Sequence, residues 1–100
     1  MAQYDLHPDP DRGGNYLLDV QTDLLTGLNT RIVVPLMPPE TAPMPARRLN
    51  PAFHIGGQPY VMVTQFLSSI REAVLPPAIG NLKADAEAIT GALDMLTHGF

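Results

Sequence analysis

Neither cysteine nor tryptophan occurs in the 100 residues. Without cysteine there is no disulfide scaffold and no thiolate zinc site. Bases are scarce as well: Arg12, Arg31, Arg47, Arg48, Arg71 and Lys83 face ten acids, for a net charge of −4. Only Arg47 and Arg48 are adjacent. Affinity for nucleic acid comes largely from phosphate neutralisation, so a small acidic chain with scattered bases is poorly equipped to bind DNA or RNA alone. An acidic surface suits a basic protein partner better. The longest apolar run, Ile32 to Met37, is six residues long and contains Pro35, which excludes a transmembrane helix. Met1-Ala2-Gln3-Tyr4-Asp5 has no basic segment leading into an apolar one, so the expectation is a cytoplasmic chain without a secretory signal. Walker A, G-x-G-x-x-G, H-E-x-x-H and G-x-S-x-G sequences are all missing, which removes the commonest signatures of nucleotide, zinc-protease and serine-hydrolase chemistry.

What the chain does have is 45% apolar and 16% charged residues, a globular balance. At this length one domain, residues 1–100, is expected, burying about two thirds of its surface around a thin core. Asn15 to Gln21 alternates, with Tyr16, Leu18 and Val20 on one face and Leu17, Asp19 and Gln21 on the other; this predicts a half-buried strand. Arg31 to Met37 predicts a second strand, with Pro35 marking an edge position or a bulge. Gly56-Gly57 between Phe53–Ile55 and Tyr60–Gln65 predicts a hairpin. A strand over Gln3 to Leu6 is weakened by Asp5, and His7 to Gly14 reads as an exposed loop. Thr22 to Thr30 and the proline-rich Pro38 to Arg48 also read as loops, and Ser68 to Leu75 is strand or short helix until Pro76-Pro77 stops it. Asn81 offers an N-cap for a terminal helix whose stripe is Leu82, Ala86, Ile89, Leu93 and Leu96, with Gly99 as its stop. The order, strands and then one helix, predicts a mainly β fold: a small twisted antiparallel sheet or partly open barrel with a helix packed on it.

Signals for chemistry are thin. His7 reads as a solvated loop residue, His54 as a hydrogen-bonded structural histidine, and His98 belongs to the chain end; the three have no metal-ligand spacing. No cofactor is called for. Asp19 and Asp23 read as a strand-edge and a turn acid. Two features stand out. Leu24-Leu25 places two apolar residues in a loop, where they cap the core or meet a partner. His98-Gly99-Phe100 ends the chain on a bulky ring, where termini are usually polar and frayed.

Leu18-Asp19-Val20-Gln21-Thr22-Asp23-Leu24-Leu25 followed by Arg31-Ile32-Val33-Val34-Pro35-Leu36 resembles the paired strand motifs of the CcdB family of bacterial toxins. Leu49-Asn50-Pro51 with His54-Ile55-Gly56-Gly57, then Tyr60-Val61-Met62-Val63-Thr64, is similar to that family's next hairpin. Ala92-Leu93-Asp94-Met95-Leu96 before Gly99-Phe100 is similar to its closing helix and tail. The resemblance runs in order over nearly the whole chain.

The resemblance implies the fold shared by CcdB and MazF toxins and a homodimer acting as the toxin of a toxin–antitoxin pair. Such a toxin binds the A subunit of DNA gyrase and traps its cleaved-DNA complex, without being an enzyme. A CcdA-like antitoxin would neutralise it, and the pair would repress its own operon, so DNA is met only through the antitoxin or gyrase. The family's gyrase-contacting positions fall on Leu24, Leu25, Asp94, Thr97, His98, Gly99 and Phe100. Well-known members carry phenylalanine and tryptophan at the positions of Thr97 and His98, and isoleucine at that of Phe100. Their two tails clamp a gyrase arginine between aromatic rings. An imidazole stacks on a guanidinium with less ring surface than an indole, so the resemblance leaves a grip that is weaker, retuned to another gyrase, or lost. Two other readings stand beside it: a MazF-like endoribonuclease, for which Arg12, Arg31 and Thr30 are the candidates, and a CcdB-fold interaction protein without toxicity.

Overall fold

Strand β3 (Thr30–Met37) organises the molecule. In the computed structural model, which describes residues 1–99, this strand pairs along one edge with β2 (Tyr16–Asp19). Its other edge is shared between β6 (Ser68–Arg71), which covers Thr30 to Val33, and β5 (Gln58–Met62), which covers Leu36 and Met37. With β1 (Asp5–Pro8), β4 (Ala52–Ile55) and β7 (Gly80–Asn81) the sheet has seven strands, in the order β4-β5-β3-β2-β1-β7 with β6 beside β3. All pairings are antiparallel, and the sheet curls into a half-barrel. Helix α1 (Ala86–His98) packs on it. The fold is the mainly β sheet with a C-terminal helix that the residues predict.

The shared edge explains Pro35. The strand sits in the middle of the sheet, not at an edge. Leu17 is its partner on β2, and the hydrogen bond from Val20 N to Ile32 O sets the alternation of that ladder. This turns the Pro35 carbonyl and imino nitrogen toward the β5/β6 side. There the carbonyl accepts from Val63 N at 3.0 Å, in the 3-10 connection where β5 has ended and β6 has not begun. The missing N–H therefore costs no ladder bond.

Burial differs from simple alternation. Leu18, Val20, Val34, Leu36, Phe53 and Met62 meet Ile89 and Ala92 of α1 in the main core. The opposite face is covered too: Leu17 and Val33 pack under Leu75, with Ile70 against them. The strand at Tyr16–Asp19 is thus buried on both faces, and Asp19 and Gln21 are inside. The predicted hairpin forms, with Gly56 and Gly57 at φ +59° and +81°, the two positive values that a type I′ turn requires.

Several elements depart from expectation. His7 is not a solvated loop residue: it lies in β1, 1% exposed, with Nδ1 2.8 Å from the Pro76 carbonyl. A carbonyl only accepts, so Nδ1 carries the proton; Nε2 is buried without a partner. The Pro76 carbonyl thus meets β1 from 69 residues away, a long-range contact that local polarity does not announce. His54 is exposed on the edge strand β4. Asn81 is not the helix N-cap: it ends β7 and accepts from Lys83 N at 2.8 Å, Leu82 caps the 3-10 turn that follows, and the α-helix begins only at Ala86 with Asp85 as its cap. The helix turns its Ile89–Ala92 face inward, which leaves Leu96 of the predicted stripe 39% exposed.

Candidate functional site

The two groups of predicted site residues lie on different elements. Leu24 and Leu25 form a 3-10 turn at Asp23–Leu25, inside what reads as a loop. Thr22 is its N-cap: Oγ1 accepts from Leu24 N at 3.3 Å, and Leu25 N donates to Thr22 O at 3.2 Å. The Asp23 carboxylate accepts from Gln3 N at 2.8 Å, tying the turn to the N-terminal segment. No residue of the turn is buried; Leu24 is 91% exposed and Leu25 46%. The turn does not cap the core.

Beneath it lies a polar cluster that sequence reasoning missed. Arg31 grips Asp19 with both arms of its fork, Nε to Oδ2 at 2.7 Å and Nη2 to Oδ1 at 3.0 Å, with the two side chains 1% and 0% exposed. The hydrogen bond to Asp19 is the chief reason that the Arg31 pKa rises above its already high ordinary value, against the opposing effect of burial. Gln21 completes the cluster. Its backbone N–H donates to Asp19 Oδ1 at 3.0 Å and its carbonyl accepts from Arg31 Nη2 at 3.4 Å. Its side-chain oxygen accepts from Ile32 N at 3.1 Å, and its amide nitrogen donates to the Leu25 carbonyl at 3.4 Å. Asp19 is therefore an inner anchor rather than a strand-edge acid. The available signal was an acid at 19 and a base at 31 within two otherwise apolar strands: charges of opposite sign on neighbouring strands meet when both are buried.

The second group ends α1. Asp94, Thr97, His98 and Gly99 are all exposed. Gly99 takes φ +81° and donates to the Asp94 and Met95 carbonyls at 3.1 and 3.2 Å, the left-handed stop expected of glycine. The Thr97 hydroxyl donates to Leu93 O at 2.9 Å and lies 2.9 Å from His98 Nδ1, so the imidazole is oriented by its neighbour. Phe100 lies outside the described residues.

The ribonuclease candidates do not converge. Arg31 is spent on Asp19, and Thr30 is its half-buried neighbour. Arg12 borders a groove of about 270 Å³ whose floor includes Leu17, Val33 and Ile70 and whose rim carries Asp9 and Asp11, a poor seat for a phosphodiester. Among the described residues no group of three or more histidine, aspartate or glutamate side chains is placed to hold a metal, and no helix is long and apolar enough to cross a membrane.

The sequence matches the CcdB protein family over residues 3–99. The chain belongs to the CcdB family. It is a toxin of the toxin–antitoxin class, and the family implies an antitoxin and a cellular target as partners. No curated protein matches the chain. Leu24 of the leucine turn shares its 91% exposure with Met44 of the proline-rich loop, and Ile79 and Phe66 are more than half exposed as well.

Proposed function

We propose that this CcdB-family chain, one toxin domain over residues 1–100, acts as a homodimer on the A subunit of DNA gyrase. It traps the cleaved-DNA complex and is neutralised by a CcdA-like antitoxin with which it represses its own operon. The observation that carries the reading is the leucine turn: Leu24, 91% exposed, is held out by a hydrogen-bonded 3-10 turn. Burying such a side chain against a partner is worth about 1.5–3 kcal/mol, while the fold gains almost nothing from it. Asp94, Thr97, His98, Gly99 and Phe100 supply the second contact. The His98 imidazole, oriented by Thr97, stacks on a gyrase arginine where other members use indole. No catalytic group is needed, since the toxin acts by holding a complex together.

The test incubates the protein with gyrase and supercoiled plasmid, and separately with RNA. Gyrase-dependent plasmid linearisation with intact RNA is expected, and Leu24→Ala/Leu25→Ala abolishes it. RNA cleavage, or a plasmid left untouched by wild-type protein, overturns the reading. Light scattering is expected to give twice the monomer mass at micromolar concentration.

A further inference from the structure

A buried ion pair is a poor way to stabilise a small domain. Two charges taken out of water recover little beyond what apolar side chains of the same volume would provide. Asp19 and Arg31 are nonetheless buried at the ends of two apolar strands, Asp19 closing β2 and Arg31 second in β3. The pair does not touch solvent, and it does not reach the leucine turn itself. Its hydrogen bonds end on Gln21: Asp19 Oδ1 takes the Gln21 N–H and Arg31 Nη2 takes the Gln21 carbonyl. Gln21 is thus held at both backbone groups and is 6% exposed. The amide is then divided between two clients. One is Ile32 N in β3, and the other is Leu25 O in the turn.

We infer that Gln21 is the positioning residue of the Leu24–Leu25 turn, and that the Asp19–Arg31 pair serves to fix Gln21. The function of the inference rests on the gyrase reading above, but its geometry does not. The Leu25 N–H is bonded within the turn, to Thr22 O, and Leu25 O receives both Gln21 Nε2 and Leu28 N, the latter at 3.1 Å. Leu25 O is thus the point where the turn, the following bend and the sheet are joined. An exposed leucine contributes most to binding when it is ordered beforehand, because the ordering cost is not charged against the complex. The buried amide does this ordering without touching the partner.

The test is amide hydrogen exchange on the full-length protein, with gyrase A subunit titrated in parallel. In unmodified protein the Leu25 and Leu28 amides exchange together with the opening of β2 and β3; free exchange at those two amides overturns the inference. In Gln21→Met both are expected to exchange about tenfold faster relative to Ala92 in α1, with gyrase affinity falling about tenfold. Equal acceleration at Leu28 and Ala92 marks Gln21 as a general core residue and overturns the inference, and so does no change at Leu28. Should Gln21→Met fail to fold, Gln21→Glu keeps an acceptor facing Ile32 N and replaces the donor to Leu25 O with an acceptor-only, charged carboxylate oxygen; it must show the same selective acceleration. If unmodified protein does not bind gyrase, the gyrase reading falls by itself. The exchange arm, which contains no gyrase, still decides what Gln21 does.

Discussion

The leucine turn and the helix end present the same kind of surface, a few exposed side chains held in a fixed shape, and reach it by different physics. The turn is held from below, by Gln21 four residues before Leu25 and by the buried Asp19–Arg31 pair that bonds the Gln21 backbone. The helix end is held from within, by the left-handed Gly99 and by the Thr97 hydroxyl bonded to its own helix. Long-range buried support gives a position that solvent cannot loosen, but it fails badly when one member is lost. Local capping is worth less and can be removed with little consequence for the rest of the fold. Damage to the first region is therefore expected to spread, and damage to the second to stay where it is made.

The largest effect that breaks this contrast is Arg31→Met. It leaves the Asp19 carboxylate buried and unpaired, and is expected to cost about 3–5 kcal/mol of stability in a denaturant titration. A loss below about 1 kcal/mol would mean that water reaches the pair after all. Truncation after Leu96 removes Thr97, His98 and the Gly99 stop. It is expected to lower stability by only about 1 kcal/mol while abolishing gyrase binding in a pull-down. A truncated chain that melts early, or that still binds, would make the tail something other than a grip. His98→Trp sharpens the comparison from the other side. More ring surface on the guanidinium should improve affinity for gyrase by about 1 kcal/mol without moving the melting temperature.

The smallest effect is one of pH, and it lies at the seam between β1 and β7. Burial alone would raise the Asp5 carboxyl, but the hydrogen bonds from Asn81 and from Ala2 N, with nearby positive charge, bring it below its ordinary value. A depressed carboxyl contributes stability that is complete above the unfolded value of about 3.9 and is lost as pH falls through that range toward the folded value. Asp5 is half-exposed, so solvent screening keeps the contribution below about 1 kcal/mol. Acid titrations of Asp5→Asn and the parent should converge below that range, and the parent should be the more stable at neutral pH. Parallel curves would remove Asp5 from the account.

Much of this architecture could be read from residue order. The hairpin at Gly56-Gly57, the strand at 31–37, the terminal helix and its glycine stop all depend on local pattern, and local pattern is what a sequence displays. The errors share a cause. His7 and Asp19 are read by what their own side chains prefer in water, and Pro35 by the N–H it lacks, yet each is placed by a segment farther along the chain. His7 is met by the Pro76 carbonyl, Asp19 is matched by Arg31, and Pro35 sits where β5 gives way to β6. Leu24 and Leu25 were conspicuous because they broke the rule for loops, whereas Gln21, a polar residue in an alternating strand, broke none. A positioning residue of that kind becomes visible only once its four hydrogen-bond partners are known.

The seam that joins the first strand to the last has a consequence for how this toxin is made. Asp5 and Leu6 pair with Asn81 and Gly80, and the Leu82 amide closes onto the Tyr4 carbonyl. During synthesis, β1 to β3 can assemble early, since short connections link them, but the outer edge of β1 stays bare until residue 81 has left the ribosome. The helix that carries the tail emerges later still. A stalled or cleaved fragment is thus an open-edged sheet, prone to sticking to its own kind.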